Sequence, residues 1–167
     1  MVTRLDDNFD VTIRAATDAD VATIGRLGAL LVRTHHAFDA KRFMSPGRDA
    51  ERGYASFIRT QLGEKDVTVL VAERAGDVIG YVYAGLEPRD WMALRDSAGV
   101  VHDVVVDPSH RRGGVGRTLL AAAMEWLRAH GAPRVVLWTA ERNEPAQRLF
   151  AKSGFRRTMI EMTRELD

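Results

Sequence analysis

The chain has 167 residues, 46% of them hydrophobic, and no cysteine. That length suits one domain with its own core and leaves no room for a second, while the lack of thiols excludes disulfides, thiolate nucleophiles and thiolate metal sites. Lys and Arg number 24 against 23 Asp and Glu, a formal net charge of +1, so no general attraction to nucleic acid or a membrane surface is implied and any anion site must be local.

Met1 to Asp10 are polar and acidic, and no run approaches the roughly 18 to 20 apolar residues of a membrane span. A soluble, cytoplasmic protein is expected, one domain over residues 1–167 with an ordered core from about 11 to 165. Val11-Thr12-Ile13-Arg14 alternates as a short strand does. Asp18 is placed to cap a helix from about Asp20 to Arg33, whose Val21, Ile24, Leu27, Leu30 and Leu31 share one face. His36 to Arg48, with Pro46 and Gly47, has no period and reads as an irregular crossing; a second amphipathic helix follows from Asp49 to Leu62.

Val67 to Arg74 and Val78 to Leu86 are β-rich, and Ala75-Gly76-Asp77 between them makes an antiparallel hairpin. Glu87 to Ser97 reads as a loop and Gly99 to Val106 as a buried strand. Gly114 to His130 is a helix, ended by Gly131 and Pro133. Arg134 to Thr139 is the next strand, Asn143 caps or precedes a helix from Glu144 to Ser153, and Gly154-Phe155 turns into a last strand ending near Glu165. The fold class is α/β: a single domain with a mixed, mostly antiparallel central sheet flanked by helices.

The chemistry concentrates where Val104-Val105-Val106 runs into Asp107-Pro108-Ser109-His110-Arg111-Arg112-Gly113-Gly114-Val115-Gly116-Arg117. A β-branched strand enters a basic, glycine-rich turn that opens an apolar helix. Such a turn presents backbone N–H groups and the positive end of a helix dipole to a pyrophosphate. Alone it is equally an ordinary basic turn. A second element gives it weight: Asn143-Glu144-Pro145-Ala146-Gln147-Arg148-Leu149-Phe150, followed by Gly154-Phe155.

Together these segments resemble the GNAT superfamily of N-acetyltransferases. Arg111, Gly114 and Gly116 match its Gln/Arg-x-x-Gly-x-Gly/Ala turn, and Asn143, Ala146, Leu149, Gly154 and Phe155 match its downstream Asn-x-x-Ala-x-x-Leu-Tyr and Gly-Phe. The resemblance implies acetyl-CoA as cosubstrate and no metal. The main chain of Val104, Val105 and Val106 would bind the pantetheine arm like an added strand. The Val106 amide would polarise the thioester carbonyl. Amides from Arg112 through Gly113, Gly114, Val115 and Gly116 to Arg117 would hold the pyrophosphate, with charge added by Arg111, Arg112 and Arg117, and Asn143 would reach the pantetheine unless it only caps its helix.

Many members carry a Tyr, thought to protonate the departing sulfur, where this chain has Phe150, which cannot donate a proton. A thiol of pKa about 8.5 leaves tolerably as thiolate, whereas freeing an alkyl amine of pKa about 10.4 at neutral pH costs on the order of 4 to 5 kcal/mol. A base therefore matters more than an acid. One family position for it falls on Trp138, which has no basic function. The other falls on the strand carrying the thioester slot, where alternation would put His102, Val104 and Val106 on one face and Asp103 on the opposite one. His102 is the favoured base, with a sheet-bonded histidine as the bland alternative, and Glu141 is the second candidate.

By analogy with the family, Phe38, Asp39, Phe43, Tyr83, Glu87, Asp90 and Trp91 are nominated to line the acceptor side, the acceptor being a small-molecule or peptide amine. His35 and His36 diverge on a helix and do not chelate one metal. Ser109 lacks a triad context, which disfavours an acyl-enzyme. Few residues remain after Phe155, enough for one strand, so an unpaired sheet edge and a homodimer that covers it are expected. Two rivals stand: a non-catalytic acyl-CoA sensor, favoured by Phe150 and Trp138, and a nucleotide-phosphate binder, weakened by the missing Gly-Lys-Ser/Thr ending.

Overall fold

The computed structural model describes residues 11–166. Its elements are β1 (Thr12–Ala15), a 3-10 turn (Asp18–Asp20), α1 (Val21–Phe38), α2 (Ala50–Gln61), β2 (Val67–Arg74), β3 (Asp77–Glu87), β4 (Ala98–Val106), a second 3-10 turn (Pro108–His110), α3 (Val115–Ala129), β5 (Val135–Leu137) and α4 (Glu144–Lys152). One sheet holds the strands in the order β1-β2-β3-β4-β5. The first four are antiparallel and β5 joins β4 in parallel.

The sheet divides the core in two. On one face Leu119, Leu120, Ala123 and Leu127 of α3 pack against Ala72, Val82, Ala84 and Val101, with Leu149 and Phe150 of α4 at the margin. On the other, Ile24 and Leu27 of α1 and Ile58 of α2 cover Val69, Val71, Tyr81, Tyr83 and Val105. Helices α1 and α2 meet closely because a Cβ on Gly28 would lie 2.0 Å from the Tyr54 ring. Ala75 and Gly76 both take positive φ, as the two central residues of a type I′ hairpin must.

Several expectations are corrected. Asp18 does not cap α1; Thr17 and Asp20 form a capping box one turn earlier, in which the Thr17 amide donates to Asp20 at 2.8 Å. Helix α1 runs five residues past Arg33 to Phe38, so the crossing begins later than its lack of period implied. The ring of His35 packs edge-on against Phe38 and Phe43, a contact supplied by the crossing itself and invisible as periodicity. Glu87 ends β3, paired with Ala98, rather than opening the loop.

The last strand does not form. Strand β5 shrinks to three residues, and residues 155–166 carry no secondary structure. Met159, Ile160 and Met162 of that segment are exposed, and Glu161 is tied to Arg42 by an ion pair rather than by a ladder. Three paired residues offer little edge to extend, and the apolar residues of the segment do not alternate.

Candidate active site

The central feature is a strand paired on both sides along only part of its length. Strand β4 pairs with β5 at Gly99, Val100 and Val101, but with β3 it continues to Val106. Past Val101 the β5 side of β4 is open. The Asp107 amide donates to Ile79 O at 2.8 Å, so by ladder alternation the N–H and C=O groups of Val104 and Val106 face the open side. There Arg111 Nε donates to Val106 O at 3.1 Å.

Beyond Val106 the chain makes a tight, clamped turn. Asp107 accepts from the Ser109 amide at 3.1 Å and from Ser109 Oγ at 2.7 Å. These two bonds, with Arg26 beside the carboxylate, hold Asp107 down at about 2. Ser109 Oγ also lies 3.0 Å from His110 Nδ1. Sequence alone missed this Asp-Ser-His contact, but the carboxylate grips the serine and not the imidazole, which is a turn clamp and not the order of a nucleophile triad.

Arg112 and Gly114 both adopt left-handed backbone, φ 67° and 80°, curling successive amides into a concave nest. The amides of Gly114, Val115, Gly116 and Arg117 have no acceptor among the described residues; they are the orphan donors at the start of α3. The Val115 side chain is buried as the first anchor of that helix. A Cβ on Gly116 would meet Leu149 at 3.5 Å and Val106 at 3.6 Å, so α3, α4 and β4 converge at this position. The open strand edge therefore leads directly into a helix start whose first amides have no acceptor among the described residues.

A β-bulge alters the other half of the site. Tyr83 pairs with Asp103, but Ala84 pairs with Val101, so His102 is the extra residue. His102 and Asp103 consequently lie together on the α1/α2 face, while Val104 and Val106 pack toward α3. The expected sharing of one face by His102, Val104 and Val106 fails, and so does the placement of Asp103 opposite His102. Strict alternation cannot foresee an inserted residue.

The His102 ring stacks on Tyr83 with centroids 4.6 Å apart, and its Nε2 lies 3.4 Å from Glu87 Oε1. Burial lowers its pKa, and the Glu87 charge partly opposes that. Asp103 accepts from Tyr81 Oη at 3.2 Å, and the Tyr81 hydroxyl lies 2.9 Å from that of Tyr54. With this one donor, burial pushes Asp103 up to about 7. Sequence reasoning gave Asp103 no proton-handling role, because only the bulge and the buried tyrosine expose it as a titrating group.

Other nominated residues separate. Glu141 is exposed in the loop before α4; the Gln147 side chain holds that loop, its Nε2 donating to Glu141 O at 2.7 Å and Ala140 O at 3.0 Å. Asn143 caps α4, its Oδ1 accepting from the Ala146 amide at 3.3 Å. Phe150 packs edge-on against Phe155. Asp39 and Asp90 accept turn amides, and Trp91 is exposed beneath Arg89. Only Tyr83 and Glu87 of the acceptor-side group meet His102. Among the described residues no cluster of three or more His, Asp or Glu is placed to hold a metal, and no helix is long and apolar enough to cross a membrane.

This architecture is a mixed α/β domain with a mostly antiparallel five-stranded sheet, and the chain belongs to the acetyltransferase (GNAT) family, whose model matches residues 33–155. The mycothiol acetyltransferase of Thermomonospora curvata is 36% identical over 94 residues, covering 56% of this chain and 29% of that relative. The chain thus spans under a third of the length of the mycothiol acetyltransferases it matches. An uncharacterized N-acetyltransferase of Bacillus subtilis, YhfO, is 26% identical over 145 residues, 87% of this chain and 89% of the relative. Among solved structures, a tetramutant of the BH1408 protein from Bacillus halodurans superimposes with a TM-score of 0.77 at 24% identity, over 93% of this chain and 99% of that one. The aminoglycoside N-acetyltransferase AAC(6')-Iy in complex with CoA gives 0.74 at 18% identity, over 99% of each chain. These likenesses show the GNAT fold.

Proposed function

We propose that this chain, as a single domain, transfers the acetyl group of acetyl-CoA to a primary amine by direct attack in a ternary complex. The observation that carries the reading is the open edge of β4 running into acceptor-free amides at the start of α3. The donor set fits the cosubstrate: strand amides suit an amide-bearing pantetheine arm, and a nest with a helix dipole suits a diphosphate. Acetyl-CoA supplies an activated thioester.

The chain's own groups then have distinct tasks. Val104 and Val106 bind the arm along the open edge, the main-chain groups of the expected Val105 being turned to β3, and the Val106 amide, which faces the edge, polarises the thioester carbonyl. Arg112, Gly113, Gly114, Val115, Gly116 and Arg117 hold the diphosphate through main-chain amides. Arg111, already bonded to Val106 O, closes the edge with positive charge. Asn143 retains its Nδ2 for the arm while its Oδ1 caps α4, and Phe150 supplies apolar lining. His102 takes the proton from the attacking ammonium, supported by its place on the strand that carries the slot and by a depressed pKa that keeps it neutral near pH 7. Glu141, exposed in the loop before α4, is the second candidate.

The acceptor is a small-molecule or peptide amine. Relatives named for mycothiol and for aminoglycosides support an amine of this general kind. A homodimer covering the unpaired β5 edge, and a cytoplasmic location, complete the proposal. The sensor reading keeps one observation in its favour: Phe150 packs as an apolar residue and leaves no proton donor at that position. A screen of amines for CoA release, run beside calorimetry with acetyl-CoA, decides between them. Binding with turnover on at least one amine is expected. Tight binding with no turnover on any amine makes the chain a sensor, and no heat of binding overturns both.

A further inference from the structure

His102 is not held by the sheet. As the bulged residue it has no partner opposite in β3, so its ring is positioned by what touches it. One face lies against Tyr83. At its Nε2 edge stands Glu87, the last residue of β3.

Glu87 is itself fixed. Arg95, its side chain only 11% exposed, donates Nη2 to Glu87 Oε2 at 2.9 Å and Nη1 to Asp96 O at 3.1 Å. Arg95 in turn is set by the loop backbone, because its amide and carbonyl exchange bonds of 2.9 and 2.8 Å with Asp90, whose carboxylate accepts the amides of Met92 and Ala93. So rigid a loop serves no evident packing purpose: Trp91, Met92 and Leu94 at its tip are exposed. What it delivers to the interior is one guanidinium and, through it, one oriented carboxylate.

We propose that Glu87, anchored by Arg95, is the positioning residue for His102, holding the ring with N–H at Nε2 and leaving Nδ1 as the atom that accepts a proton. The inference rests on the reading of His102 as the base and extends it to the β3–β4 loop. A carboxylate beside Nε2 selects the tautomer that donates to it and stabilises the imidazolium. Arg95 shares the same carboxylate and weakens that stabilisation, so the two residues act on His102 with opposite signs. The other groups around the ring add little charge: Tyr83 from β3 donates to Gln61 at 3.0 Å, α2 contributes neutral Phe57 and Gln61, and the Asp103 carboxyl is turned to Tyr81.

The test is an NMR titration of His102, assigned by comparison with His102→Gln, in the wild type and in Glu87→Gln, Arg95→Met and Arg95→Lys. Nitrogen shifts in the neutral form are expected to report N–H at Nε2. Glu87→Gln should move the His102 midpoint down and Arg95→Met move it up, each by about 0.5 to 1 pH unit, and Arg95→Lys should return it toward wild type. Unmoved midpoints, shifts of one sign in both charge-removing variants, or N–H at Nδ1 would overturn the inference. The acid limb of kcat/KM, followed on an amine that turns over, should move with the midpoints. Midpoints that shift while that limb stays fixed uphold Glu87 as the positioning residue and remove His102 as the base.

Discussion

Two aspartates lie withdrawn from solvent on the same side of the sheet, and their charges are set in opposite directions. Asp20, 5% exposed at the corner between β1 and α1, receives Arg14 Nη1 and Nη2 at 2.8 and 2.9 Å and the Thr17 amide and hydroxyl at 2.8 and 3.0 Å. Arg14 above all holds it down at about 2. Asp103 receives one tyrosine hydroxyl and is pushed up to about 7 by burial. Burial alone does not decide whether a carboxyl is charged; the number and charge of its donors do. The fully satisfied aspartate fastens an edge strand to a helix. The poorly satisfied one sits at the bulge beside His102.

Removing the Asp103 charge should have the largest effect. A folded-state value near 7 against an unfolded value near 3.8 means that the folded state binds the extra proton. The resulting cost is absent below about pH 3.8, grows as pH rises, and is complete above 7, reaching on the order of 4 kcal/mol. Asp103→Asn should abolish that slope, so denaturant unfolding at pH 4 and pH 8 should show the variant gaining on wild type at the higher pH. Equal pH dependence in the two proteins would mean that Asp103 is ionised like an ordinary carboxylate.

Asp20 runs the other way. Its depressed value contributes stability that is present above about pH 3.8 and is lost as pH falls toward 2. Asp20→Asn should cost about 2 kcal/mol at neutral pH, with wild type and variant converging in acid. Unfolding followed from pH 7 down to pH 2 checks it, and a gap that persists at pH 2 would assign the loss to packing instead of charge.

Much of this arrangement was legible in the chain. The hairpin at Ala75-Gly76, the positions of the first four strands along the chain and the strand-turn-helix from Val104 to Arg117 follow from alternation, turn residues and glycines, all local signals. What was not legible depends on tertiary partners. The bulge at His102 exists because β3 and β4 are one residue out of step, and no pattern within His102-Asp103-Val104 announces it. The missing last strand reflects a three-residue β5 with little edge to offer. Helix α1 reaches Phe38 because Phe43 folds back onto His35. Asp103 is the clearest case, since its raised value comes wholly from burial that the sequence does not express.

Asn143 extends the comparison to a neutral side chain with a single donor, and its expected effect is the smallest. Its Oδ1 accepts the Ala146 amide at 3.3 Å, one of the orphan donors at the start of α4, so Asn143→Ala should cost about 1 kcal/mol. In a chain of this size that lowers Tm by about 2 to 4 °C, with no pH dependence, because no charge is gained or lost. Capping and cosubstrate binding draw on different atoms, which lets two measurements separate them. Asn143→Asp keeps the capping oxygen and removes Nδ2, so it should keep Tm near wild type while raising the KM for acetyl-CoA. A loss of Tm with unchanged KM in both variants would leave Asn143 a helix cap and nothing more.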